Sequence, residues 1–371
     1  MEPRKPKHII LDSGAFSVWT KGISIDINQY IDFCKQHPLI SYYVNLDVIP
    51  GIPNKHKTVN KKTTEEAAQK SWENYQRMLE YFPIEKVIPV FHQNEDFKWL
   101  NKYIEFGTPY IGISPANDRT TAQKIGWLKQ IQKYTNLCDE KGNPKIKIHG
   151  FAVTSYRLLK FWHWHSVDSV SWLKNAAYGS ILVPPFFKEE NYHLKPWTIS
   201  FSLLSPEIKK KNAHYKNLSP SLKKNLDIYL QKEGLEVGET HIINAPLNSG
   251  LKENEFWVVN KNYKRRKEKK IKNNLSLLKP QKVQEGYGKK AIIITEGLCN
   301  SYKIRCEANI NFINKQEQAL GIDNMYFAGS YYEYSYKIRN KLFSYFEFIE
   351  SKNEILKNIL AEYEKDIENE N

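Results

Sequence analysis

The sequence predicts an α/β fold: a (β/α)8 barrel that carries a basic insertion and ends in a C-terminal helix. Three observations predict it. From residue 8 to about 183, short apolar β-branched runs alternate with amphipathic stretches. Three of those runs reach a carboxylate where they end: HIILDSGAFS at Asp12, YYVNLDVIPG at Asp47 and SVDSVSW at Asp168. Strand-like runs resume at 290–295 and 324–328, bringing the total to eight. Apolar runs bounded by helical patterns read as buried strands, and a sustained βα rhythm reads as a parallel sheet. A doubly wound open sheet is the alternative arrangement of the same elements.

The elements follow in order. Candidate strands lie at 8–12, 41–47, 86–91, 109–113, 145–151 and 166–170. Helical periodicity covers 26–36, 64–82, 97–106, 121–138 and 155–163, with Thr63 or Thr64 as N-cap of the second helix. The rhythm breaks after residue 183. Residues 184–289 are basic and rich in turn residues, with a helix at 219–232 and a short strand at FWVVN. A charged amphipathic helix over about 334–366 closes the chain. This gives a catalytic unit over 1–183, a basic insertion over 184–289 that suits nucleic acid, and the last barrel strands with the closing helix over 290–371.

Composition narrows the class. The chain has 371 residues, 41% of them hydrophobic, enough for a substantial core. A formal net charge of +14 favours a polyanionic partner, nucleic acid before membrane. The abundance of Lys, Asn, Ile and Tyr also matches AT-rich coding sequence, so the charge has a compositional explanation as well. The four cysteines (Cys34, Cys138, Cys299, Cys306) form no CxxC and no zinc-type spacing, which fits free thiols in a reducing compartment. No apolar run reaches membrane-spanning length, and Asp12 interrupts the only candidate signal core. The expectation is a soluble cytoplasmic protein without a membrane partner, its oligomeric state open.

Parallel strands would bring Asp12, Asp47 and Asp168 to one end of the sheet, where α/β enzymes keep their chemistry. A single strand-end aspartate is often a turn or N-cap residue, but three in equivalent places argue for a shared site. Neighbouring carboxylates raise one another's pKa, so one serves as acid or base while another stays ionised. An ionised carboxylate can attack an electrophilic carbon such as a sugar anomeric centre. Ser13 adjoins Asp12. The run PVFHQNED offers His92 and Gln93, both able to hydrogen-bond a heterocycle. Gly112 in YIGIS lets a flat ligand approach the backbone, or simply packs. KIHGFAVTS supplies His149, Gly150 and Phe151, the last able to stack on a base or fill the barrel. HWH at 163–165 reads as a helix end before a strand rather than a metal pair. Two basic or aromatic segments complete the set. KNYKRRKEKKIK at 261–272, with Lys264, Arg265, Arg266 and Lys267, can track phosphates or stand as a solvated loop. YYEYSYK at 331–337 mixes stacking rings with Lys337. No phosphate-cradling GxxxxGK or GxGxxG is present.

The order LDSGAF, NLDV, PVFHQ, YIGIS, HGFAVTS, VDSVSW resembles the tRNA-guanine transglycosylase superfamily over residues 8 to about 180. The chain looks most like its phage and bacterial branch, the DNA 7-deazaguanine transglycosylases (DpdA-like). That resemblance implies a TIM barrel that exchanges guanine in DNA for a free 7-deazaguanine base, such as 7-cyano-7-deazaguanine. It implies Asp168 as nucleophile on C1′, Asp12 as general acid/base, Asp47 on the guanine edge and Gly112 as a backbone contact. His92 stands where the family carries Gln, with Gln93 one residue on. The Cys3His zinc site of the tRNA-modifying members has no counterpart here, so no zinc or other cofactor is expected. The chain is also too short for an archaeal-type RNA-binding module, which favours DNA over tRNA. Two alternatives are a transglycosylase acting on tRNA and a non-catalytic nucleic-acid-binding partner subunit. Retention of all three aspartates argues against the latter.

Overall fold

A strand as short as three residues has little propensity of its own; its position is fixed by the rows on either side and the helices packed over it. The computed structural model describes residues 8–16, 19, 22, 24–38, 40–50, 59–153, 155–203, 205–246, 248–257, 287–329 and 346–348. They fall into two units: residues 1–173, 192–195 and 310–371, and residues 174–191 and 196–309.

In chain order the first unit contributes β1 (Ile9–Leu11), α1 (Ile27–Lys35), β2 (Tyr42–Val44), α2 (Lys61–Leu79), β3 (Val87–Ile88) and β4 (Val90–His92). There follow α3 (Phe97–Glu105), β5 (Tyr110–Ser114), α4 (Thr121–Tyr134), β6 (Lys147–Gly150), α5 (Tyr156–Leu159) and β7 (Ser166–Ser169). After α6 (Ser171–Ala177) the second unit runs through β8 (Ser180–Val183), β9 (Trp197–Ser200), α7 (Pro220–Lys232), β10 (Glu239–Pro246), β11 (Glu255–Trp257) and β12 (Tyr287–Thr295). Helix α8 (Tyr302–Leu320) precedes β13 (Asn324–Gly329) and β14 (Phe346–Phe348).

The first unit is built on a parallel sheet with strand order β3-β2-β1-β14-β13-β7-β6-β5-β4. Its two outermost elements, β3 and β4, are neighbours in sequence, separated by Pro89 alone. Proline has no N–H to give a ladder, which is why the run is interrupted there. The Pro89 carbonyl still accepts from the Gly112 amide at 2.8 Å.

The expected strands and helices of residues 8–170 all form, most of them shortened; the helix expected at 64–82 instead starts at Lys61, and the strands expected to end at 91 and 113 reach His92 and Ser114. Asn60, not Thr63 or Thr64, caps α2: its side chain accepts from the Thr63 amide while Thr63 Oγ1 accepts from the Asn60 amide. The helical layer carries an aromatic cluster of Trp72, Tyr75, Tyr103 and Phe106. Burying each of Leu100, Ile111 and Leu128 completely contributes roughly 1.5–3 kcal/mol.

Two expectations are corrected. The run 290–295 is not a strand of the parallel sheet; it lies in β12, paired antiparallel with both β10 and β11 in a separate three-stranded sheet. An apolar run states that a strand is buried, not which way its neighbours run. The run 324–328 forms β13 beside β7, and the strand between β13 and β1 is β14, inside the stretch expected to be helical. Its sequence, Phe-Glu-Phe, is too short to interrupt a charged helical pattern on inspection. The remainder of that expected helix lies outside the described residues.

The second unit has its own core, with Ile181, Val183, Phe201, Leu226, Leu230 and Leu298 at its centre. Asn309 ties β8 into it, accepting from the Leu182 amide at 2.7 Å. Arg305, buried, donates to the carbonyls of Ala176 and Leu298. The unit therefore starts ahead of residue 184 and runs past 289. Among the described residues no helix is long and apolar enough to cross a membrane.

Candidate functional site

All strands of the first unit's sheet are parallel, so their C-terminal ends share one side, and the candidate carboxylates gather there. A cavity of about 1220 Å3 opens at this end, lined among others by Asp12, Asp47, His92, Gln93, Phe151 and Asp168. Its wall also holds Phe16, Trp19, Glu95 and Arg119.

Asp12 follows the last residue of β1. Gly14 then takes φ +72°, a left-handed turn that suits a residue without Cβ. The carboxyl group of Asp12 is pushed up to about 8, first by burial and then by the negative charge of Asp47, with Asp168 adding to it. The backbone amides of Gly14 and Ser13 pull the other way without offsetting the rise. Asp12 therefore holds its proton at neutral pH.

Asp47 sits on a segment clamped to α2. Asn45 Nδ2 donates to the Ser71 carbonyl (2.8 Å), the Val48 amide to Ser71 Oγ (2.9 Å), and Asn74 Nδ2 to the Leu46 carbonyl (2.7 Å). Both oxygens of Asp47 are engaged: Ser13 Oγ donates to Oδ1 at 3.1 Å, and His92 Nε2 lies 2.8 Å from Oδ2. Burial alone would lower the pKa of His92; the hydrogen bond and charge of Asp47 outweigh it and hold it above the ordinary histidine value. Glu95, three residues on, is raised to about 7, chiefly by burial and against the pull of His92.

Asp168 lies on β7. Its Oδ1 accepts from the Ala152 amide at 2.5 Å and lies 3.6 Å from His149 Nε2. Ala152 is held at φ +52°, a conformation that disfavours any residue with a Cβ. The strained turn after β6 thus aims an N–H at the carboxylate.

The other expected site residues divide. Phe151 and Gln93 line the cavity, and Gln93 Oε1 accepts from the Ala116 amide at 3.0 Å. Ser13 is fully buried and bears on Asp47 rather than on the cavity. Gly112 and Gly150 are glycine for packing: a Cβ at Gly112 would meet the Phe151 ring at 2.3 Å, and one at Gly150 would meet Val153 and Trp164 within 2.9 Å. His163 and His165 both face Asp323, at 3.9 and 2.8 Å. Lys264, Arg265, Arg266 and Lys267 lie outside the described residues, as does the aromatic cluster at 331–337.

Sequence reasoning missed Glu95 and Ala152. Glu95 follows the strand end that carries His92, which was a usable signal. Ala152 acts through its backbone and leaves no mark in the sequence.

Chemically, the cavity offers one carboxyl that is protonated at neutral pH, a second bound to a histidine, and a third pinned by a backbone amide. Ser166, His149 and Asp168 also have the makings of a hydrolase triad. Ser166 is completely buried and hydrogen-bonded to Tyr110, so its hydroxyl cannot meet a substrate. Comparison of the chain with protein-family models, curated proteins and solved structures gives no match.

Proposed function

We propose that this protein is a DNA-guanine transglycosylase, exchanging guanine in DNA for a free 7-deazaguanine base, built on a (β/α)8 barrel. The observation that carries the reading is the convergence of Asp12, Asp47 and Asp168 on one cavity, Asp12 with its pKa raised to about 8, Asp47 bound to His92 and Asp168 bound to the Ala152 amide. Barrel closure is supported by the run 87–92, whose first half pairs with β2 and whose second half pairs with β5.

In this reading Asp168 attacks C1′ of the deoxyribose, and the bond from C1′ to N9 of guanine breaks as the bond to the carboxylate oxygen forms. Asp12 gives its proton to the departing base. The incoming 7-deazaguanine then returns a proton to Asp12 as its own N9 attacks C1′ and releases the Asp168 carboxylate. One glycosidic bond replaces another of similar energy, so the exchange needs no cofactor. Asp47, oriented by Ser13 and His92, accepts from the N–H groups of the guanine edge. Phe16, exposed on the cavity wall, offers a ring face to the base. Lys61 and Arg119, also on the wall, suit flanking phosphates. A target in duplex DNA has to be flipped out, at a cost of a few kcal/mol.

The test is incubation of the full chain with labelled guanine and either DNA or tRNA. Label is expected in DNA and not in tRNA, and its incorporation is expected to vanish with Asp168→Asn. Label in tRNA alone would transfer the chemistry to tRNA, and label in neither would overturn the reading.

A further inference from the structure

His149 belongs to a buried polar chain that leads away from the candidate nucleophile. Its Nδ1 lies 2.6 Å from Ser166 Oγ, and Ser166 Oγ is hydrogen-bonded to the Tyr110 hydroxyl. His149 and Ser166 are completely buried and Tyr110 is 1% exposed. The imidazole is held edge-on to Phe151, ring centroids 4.4 Å apart, and to Tyr326 at 6.0 Å. Its Nε2 has no hydrogen-bond partner at normal length and faces Asp168 Oδ1 at 3.6 Å.

For a neutral imidazole only one direction of this chain satisfies its groups. If Nδ1 carried the proton, Nε2 would turn a bare lone pair on a carboxylate inside a buried site, a repulsive arrangement. With the direction reversed, Tyr110 donates to Ser166, Ser166 donates to Nδ1, and the proton rests on Nε2, where it points at Asp168. A small approach of the carboxylate closes 3.6 Å to a hydrogen bond, as happens when an unliganded site takes up substrate.

We propose that His149 is a positioning residue, which with the Ala152 amide fixes Asp168 Oδ1 and leaves Oδ2 as the attacking atom. This rests on the base-exchange reading above. When Oδ2 bonds to C1′, Oδ1 becomes a neutral ester carbonyl oxygen; when the ester is cleaved, the charge returns to Oδ1 beside two N–H donors. His149 therefore assists departure of the carboxylate in the second step as well as aiming it in the first. It touches neither sugar nor base. Ser166 and Tyr110 hold its tautomer.

Two substitutions separate this role from space filling. The amide nitrogen of Gln reaches the place of Nε2, whereas the amide oxygen of Asn reaches the place of Nδ1 and accepts from Ser166. His149→Gln keeps a donor toward Asp168, and its kcat is expected to stay within about 10-fold of the unsubstituted chain. His149→Asn keeps the link to Ser166 but loses that donor, and its kcat is expected to fall about 100-fold with KM for the free base unchanged. Equal kcat for the two variants, or the reverse order, would overturn the proposal. Nitrogen-15 chemical shifts of His149 in the full, unsubstituted chain supply a readout independent of activity. A protonated Nε2 and a bare Nδ1 are expected; a protonated Nδ1 would overturn the proposal even if base exchange proceeds. If exchange is absent altogether, the functional reading fails while the tautomer measurement still decides this one.

Discussion

Ala152, at φ +52°, donates its backbone N–H to Asp168 Oδ1 at 2.5 Å. A left-handed conformation costs an L residue roughly 1–2 kcal/mol, whereas ordering a glycine in its place costs about 0.5–1 kcal/mol. Ala152→Gly is therefore expected to leave the protein as stable as before or up to about 1 kcal/mol more stable. A denaturant midpoint that falls, as it does for an ordinary alanine-to-glycine change, would show that the turn carries no strain.

Asp12 links activity, stability and pH. Its folded value of about 8 lies above the ordinary value of 3.8, so the folded chain holds a proton there that the unfolded chain has lost. Stability from this group is complete below pH about 4 and is lost as pH rises toward about 8. Asp12→Asn removes the penalty of ionising a buried carboxyl. It is expected to raise stability at pH 8.5 by on the order of a few kcal/mol, with little gain at pH 4, while abolishing base exchange. Thermal melts across that range check it; a gain that does not grow with pH would contradict the assignment of Asp12 as the proton carrier.

The pair His92 and Asp47 has the opposite partner logic. His92 is held above its ordinary value by Asp47, so the pair's contribution to stability is complete below about pH 6.5 and fades as pH rises through the raised value. Asp47→Asn is expected to destabilise the fold more at pH 6 than at pH 8.5. It is also expected to raise KM for free guanine about 10- to 100-fold, the effect of losing a charged acceptor. Equal destabilisation at both pH values, measured by denaturant titration, would remove the pair from the account.

Gly112 is tied to the site through packing. A methyl group there meets the Phe151 ring at 2.3 Å and the Pro89 carbonyl at 3.3 Å. Gly112→Ala is expected to cost about 1–3 kcal/mol and to displace Phe151 from the cavity wall. Unchanged stability would mean that the ring has room to move.

The first six strand runs and the site carboxylates were legible because each signal is local. An apolar run of strand length ending in Asp12, Asp47 or Asp168 needs no knowledge of the rest of the chain. The run 324–328 was legible in the same way and forms β13, parallel to β7; the run 290–295 and the strand beside β1 were not, for the opposite reason. Residues 290–295 have the composition of a buried parallel strand, yet β12 pairs antiparallel with β10 and β11. Phe346–Phe348 is recruited beside β1 by its neighbours, not by its own sequence. Within the site, His92 and Gln93 were visible as strand-end residues, but that His92 binds Asp47 while Gln93 binds the Ala116 amide depends on tertiary placement. Gly112 had two readings, ligand approach and packing; the Phe151 ring and the Pro89 carbonyl that crowd it supply the packing reason.

The central claim is that Asp168 forms a covalent bond to C1′ of a DNA deoxyribose. The most direct measurement is intact-mass analysis of the full chain quenched during reaction with a short guanine-containing DNA, followed by peptide mapping of the adduct. An increase equal to the oligonucleotide minus guanine is expected, located on the peptide that carries Asp168 and absent in Asp168→Asn. Base exchange without such an adduct, or an adduct on another residue, would contradict it.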